Sequence, residues 1–202
     1  MSSSKEEILA RLRRNTTERF PEPDLSGLEA EALTYPDPET RFIDVMGQVG
    51  GRAVIVPEGQ TAGQVIAGLY PNVHRTALAI RGLAGADALP GTVFHPDDVA
   101  TGPELNGTDL AIVDGSFGVC ENGCVWVEQR VENRGVYFIT ESLVLVIPRG
   151  ALVNNMHEAY RRIDTGRYGY GVFISGPSKT ADIEQALVFG AHGAHDVVVL
   201  LV

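Results

Sequence analysis

The sequence predicts an α/β fold, a three-layer sandwich around a mainly parallel sheet. Three observations carry this. Six short apolar runs, Ala53–Val56, Ala77–Ile80, Leu110–Val113, Leu143–Ile147, Val172–Ile174 and Val197–Val202, are continuous rather than alternating. Continuous runs suit strands covered on both faces. Their spacing is close to that of a strand–helix–strand unit, and helical patterns lie between several of them.

The 202 residues carry 16 Lys and Arg against 26 Asp and Glu, a net charge of −10. That balance argues against a general nucleic-acid or anionic-membrane binder. The two cysteines, Cys120 and Cys124, are too few for a disulfide scaffold or a four-cysteine metal site. No apolar run approaches the ~20 residues that cross a bilayer, and the first residues lack a signal-peptide core, so a cytoplasmic location is expected.

In chain order, residues 4–14 form a short helix, with Ser4 and Glu7 fitting a capping box and an apolar stripe at Ile8, Leu9 and Leu12. A proline-rich acidic linker follows over 20–40. Residues 1–38 are therefore an arm and linker, and 39–202 the folded domain. Phe42, Val45, Met46 and Val49 recur at helical spacing, and Gly50-Gly51 ends that helix. Leu152, Met156, Tyr160 and Ile163 predict a second amphipathic helix, and Ile183 with Leu187 a third. Residues 117–139 break the rhythm as an inserted antiparallel ribbon of three strands, turning at Asn122-Gly123 and at Asn133-Arg134-Gly135.

Three places could carry chemistry. Ser175-Gly176-Pro177-Ser178-Lys179-Thr180-Ala181-Asp182 runs from a predicted strand into a predicted helix. A glycine-containing turn there offers backbone N–H groups, two hydroxyls (Ser178, Thr180) and a cation (Lys179), which together suit phosphate or carboxylate. Ser178 and Asp182, four apart, share a helix face. The same pattern also reads as a plain helix cap. Cys120-Glu121-Asn122-Gly123-Cys124 holds Glu121 beside a tight turn, as a nucleophile, a general base or simply part of a hairpin. Asp114-Gly115-Ser116 follows a strand at the carboxyl edge, where open α/β sheets bind ligands, and reads equally as a turn. The histidines lack metal-site spacing.

The stretch Gly171–Leu201, GVFISGPSKTADIEQALVFGAHGAHDVVVLL, resembles the C-terminal signature of the LUD-domain family, the lactate-utilisation group of LutC/YkgG-like proteins. The match runs through Gly176–Glu184 and through Gly190, His192 and Gly193. Glu121 and Gly123 also agree with the family pattern, whereas Asn122 and Cys124 depart from it. The resemblance implies a fold like that of ribose-phosphate isomerase, glucosamine-phosphate deaminase and the CoA transferases. It also implies a subunit of an L-lactate oxidation system whose iron–sulfur clusters lie in partner subunits, none being bound by this chain. Glu121 and Asp182 are then the candidate catalytic residues. Gly176, Ser178, Lys179, Thr180, Asp114 and Gly123 are the candidate ligands for an anionic small molecule. Two alternatives stay open. Glu121-Asn122-Gly123 resembles the nucleophile motif of CoA transferases, pointing to a stand-alone transferase-like or isomerase-like enzyme. A non-catalytic binding or regulatory protein that forms a homo-oligomer through the 117–139 ribbon is the other.

Overall fold

The computed structural model describes residues 3–16, 18, 20, 21, 23, 24, 27, 31–167, 169–180, 188–190 and 193–202. It divides into two compact units, residues 1–32 and 33–202. The first holds helix α1 (Ser4–Asn15). Its capping box is formed one residue earlier than the pattern suggests. Ser3 N–H donates to Glu6 Oε2 at 2.7 Å, and Glu6 N–H to Ser3 Oγ at 3.3 Å.

The second unit begins its regular structure at α2 (Pro38–Gln48). Asp37 caps it by accepting from Thr40 N–H and Thr40 Oγ1, and Pro38 supplies a preset φ at the first helical position. Phe42, Val45 and Met46 are buried, as the helical spacing predicts. Gly50, at φ +83°, then turns the chain into β1 (Arg52–Ile55).

The remaining elements are α3 (Ala62–Leu69), β2 (Arg75–Leu78), β3 (Thr92–Phe94), β4 (Leu110–Asp114), β5 (Phe117–Val119) and β6 (Val125–Glu128). After them come β7 (Ser142–Ile147), β8 (Leu152–Val153), α4 (Met156–Arg162), β9 (Gly171–Ile174), β10 (Lys179–Thr180), β11 (Val188–Phe189) and β12 (Asp196–Leu201). Among the described residues, no helix is long and apolar enough to cross a membrane.

A six-stranded, wholly parallel sheet has the order β1-β12-β7-β4-β2-β3. Its strands alternate between two cores, which explains the unbroken apolar runs of β4, β7 and β12. Leu143, Leu145, Ile147, Val197, Val199 and Leu201 face one cluster with Phe42 and Met46 of α2 and with Val125 and Val127 of β6. Val144, Val146, Val198 and Leu200 face the other, with Ala62 and Ile66 of α3. The layers are thus α3, the parallel sheet, and a layer built from α2 and a second sheet of order β8-β5-β6-β9. Ala159 of α4 covers the outer face of that second sheet with Phe117, Val119 and Trp126.

Three local expectations change. Val172–Ile174 does form a strand, but β9 pairs antiparallel with β6 rather than joining the parallel sheet. Leu152 and Val153 form β8, parallel to β5, so the helix begins only at Met156 and leaves Tyr160 exposed. Residues Arg134–Tyr137 are a turn of 3-10 helix rather than part of a third ribbon strand. Val136 N–H donates to Asn133 O and Phe138 N–H to Gly135 O, so these backbone groups bond three residues back rather than to a neighbouring strand. The ribbon is therefore β5 and β6 alone, covered on both faces by its own chain.

Candidate functional site

The hairpin carrying Glu121 closes by Gly123 N–H donating to Val119 O, with Gly123 at φ +69°. A β-carbon at Gly123 would meet Val45 and Met46 of α2, so the turn lies against that helix. Because β9 runs antiparallel to β6, its end at Ile174 lies opposite Val125, beside the same turn. Ser175 Oγ donates to the Asn122 carbonyl at 2.9 Å and fastens the two segments together. The Lys179 ammonium donates to the carbonyl of Val49, the C-cap of α2, where helix carbonyls lack partners.

The Glu121 hairpin and the Gly176–Lys179 segment therefore lie side by side, at the amino ends of the parallel strands. A cavity of about 260 Å³ there is lined by Phe138, Ser175, Gly176, Ser178, Gly193 and Val197, among others. Glu121 itself is not on its wall. Its carboxylate accepts from Met156 N–H, the first helical residue of α4, at 2.9 Å.

The expected nest of open N–H groups is not what the turn presents. Ser178 N–H is spent on Ala194 O, and Ser178 O accepts from Gly190 N–H, both at 2.9 Å. Lys179 and Thr180 form a strand against β11 instead of the first turn of a helix. Asp182, His192 and the predicted Ile183/Leu187 helix lie outside the described residues. Beside this cavity, His195 Nε2 and Glu141 Oε2 are 3.5 Å apart, both well exposed, a pair the sequence reading did not single out.

Asp114 is elsewhere. It ends β4 and lines a second cavity of about 500 Å³ with Val146 and Ile147, at the carboxyl ends of the strands. Leu143 of the first cavity and Ile147 of the second stand four residues apart on β7, roughly 13 Å along an extended strand. The structure thus separates Asp114 from the other candidate ligands. Burial pushes its carboxyl up from the ordinary aspartate range; Arg130 opposes this and Glu128 adds to it. Arg130 Nε lies 3.1 Å from Asp114 Oδ2, and Arg130 also approaches Glu128 at 3.8 Å. The walls from Gly82 to Ala84 went unnoticed in the sequence. Their signal was a glycine-rich loop directly after a strand.

Both cysteines are free. Burial pushes the Cys120 thiol up to about 11, against the pull of Arg41, and its Sγ donates to Pro38 O at 3.2 Å. Burial also raises Cys124, with the neighbouring Ser175 side chain opposing. Two thiols, one buried and one partly buried, do not meet the four-ligand demand of an iron–sulfur cluster. Among the described residues, no group of three or more His, Cys, Asp or Glu side chains could hold a metal. A thiol titrating near 11 is ionised in about one molecule per thousand at pH 8. In the native protein, iodoacetamide is therefore expected to spare Cys120 at pH 8, and peptide mapping reads this directly. Complete Cys120 alkylation without unfolding would contradict its burial.

The family model described as LUD domain matches residues 40–202. A lactate utilization protein C from Shouchella clausii is 35% identical over 91 residues, 42% of this chain and 40% of that protein. Another from Oceanobacillus iheyensis is 31% identical over 101 residues, covering 46% and 43%. The matched stretch thus spans about two fifths of these relatives. A crystal structure of a DUF162 family protein from Deinococcus radiodurans shares the fold at a TM-score of 0.60 and 17% identity. It covers 84% of this chain and 98% of that one.

Proposed function

The chain belongs to the LUD domain family, and from that premise we propose that it serves as a subunit of an iron–sulfur-dependent L-lactate oxidation system, binding an anionic small molecule at its Gly176–Thr180 segment. The single observation that carries the site is the Ser175–Asn122 hydrogen bond, which holds the Glu121 hairpin against the segment bearing Ser178 and Lys179. Relatives named lactate utilization protein C support the system. The size of the adjoining cavity, about 260 Å³, suits a molecule of a few heavy atoms.

In this reading Ser178, on the cavity wall, offers its hydroxyl to a carboxylate, and Lys179, next in the chain, adds positive charge to the segment. Glu121, fixed by Met156 N–H, steadies the hairpin to which Ser175 is bonded. Electron transfer belongs to clusters on partner subunits, because the two thiols here do not suit cluster ligation.

A strain lacking this chain, and lacking any other lactate oxidase, is expected to stop growing on L-lactate while growing normally on pyruvate. The intact chain should restore growth and retain cluster-bearing proteins on purification. Ser178→Ala with Lys179→Ala should fail to restore growth although the protein still folds. Undiminished growth of the deletion strain on L-lactate would remove the lactate role. Full complementation by the double variant would remove the site.

A further inference from the structure

The larger cavity lies away from the proposed anion site, and its chemistry is different. Its volume of about 500 Å³ falls within the ~300–1,000 Å³ of small-molecule sites. It opens at the carboxyl ends of parallel strands, where α/β sheets place ligands. Val56, Ile80, Leu83 and Val146 make apolar walls, Asp114 lies among them, and Gln60 and Thr61 add polar groups.

No lysine or arginine lines it among the described residues. The start of α3 does not offer an anion site either. Gly63 N–H donates to Ala84 O, Gln64 N–H to Thr61 Oγ1 and Val65 N–H to Thr61 O. Three of the first-turn donors that attract anions elsewhere are thus spent within the chain. Asp114 is an acceptor when ionised, and it pairs with Arg130 at 3.1 Å, which it shares with Glu128 at 3.8 Å. A cationic ligand at Asp114 would pay desolvation and meet the repulsion of the Arg130 guanidinium beside it. A neutral N–H donor on an apolar body meets both demands.

We propose that this cavity binds an uncharged, flat heterocycle bearing an amino group, a nucleobase-class ligand, with its ring between the apolar walls and its amino group donating to Asp114. The site is separate from the anion site and stands whether or not that site functions.

Adenosine is the probe, with the whole purified chain and its thermal midpoint as readout. At roughly ten times Kd, adenosine should raise the midpoint by about 3–6 °C. Purine riboside, which lacks the amino group, should bind about tenfold more weakly, as expected for one lost hydrogen bond to a charged acceptor. Asp114→Ala should abolish the shift. Arg130, about half exposed, still has Glu128 nearby, so that variant should fold. Ala84→Trp, at an exposed position on the wall, should abolish the shift by filling the cavity. Ser178→Ala should leave it intact. The absence of any shift with adenosine overturns the proposal, as does an equal shift in Asp114→Ala or in folded Ala84→Trp.

Discussion

Gly63→Ala is expected to lower the thermal midpoint by about 6–12 °C, a loss of roughly 3 kcal/mol at about 2–4 °C per kcal/mol for a domain this size. Gly63 is the second residue of α3, and a β-carbon there would lie 1.8 Å from the carbonyl oxygen of Gly85. The obstacle is backbone, so no side-chain rotation relieves it. Either α3 or the 82–89 loop must move, and Gly63 N–H would lose its bond to Ala84 O at 2.9 Å. Gly68 gives the internal control. It lies in the same helix with open space around it, so Gly68→Ala should be neutral or stabilising by up to about 1 kcal/mol. Calorimetry on the two variants separates them. Similar midpoints for both would show that the loop does not press on α3.

Leu145→Ala is expected to cost about 2–5 kcal/mol, or about 4–20 °C in midpoint. Leu145 is fully buried at the middle of β7, itself between β12 and β4. It stands in register with Val199 on one side and Val113 on the other. Truncation leaves a void where three strands and the second sheet meet, and a rigid sheet collapses into it poorly. Val93→Ala, on edge strand β3 and exposed, should cost less than about 1 kcal/mol. Urea denaturation of both variants tests the ranking. Equal losses would mean that the two strands are equally buried.

Several parts of this chain were legible because their signals are local. Helix α2 announces itself by Phe42, Val45 and Met46 at helical spacing, while its Asp37–Pro38 start reads as part of the proline-rich linker. The Asn122-Gly123 turn is legible because glycine adopts its positive φ without strain. Strands β1, β4, β7 and β12 were found as apolar runs. Leu152–Val153 was misread because two apolar residues before a helix fit its stripe as well as they fit a strand. Val136 and Tyr137 fit a strand by residue type, but the backbone there bonds three residues back as a 3-10 turn.

The candidate site was legible in its parts and not in its assembly. Glu121, Gly176 and Ser178 stand out by residue type and turn chemistry. Asp114 stood out for the same reasons, yet it belongs to the other end of the sheet. Which run pairs with which, and so which loops share an end, depends on strand order and direction. Those are settled by contacts between residues far apart in the chain, such as Ser175 with Asn122 and Met156 with Glu121.

The sequence by itself determined the fold class, the buried stripe of α2, the Asn122-Gly123 turn and most strands of the parallel sheet, because propensity and periodicity act over a few residues. Only the tertiary structure decided that β9 joins the second sheet, that Ser178 N–H is already bonded, and that two separate cavities lie at opposite ends of the strands. A strand's apolar run states how deeply it is buried, while its neighbours are chosen by the packing of the whole chain.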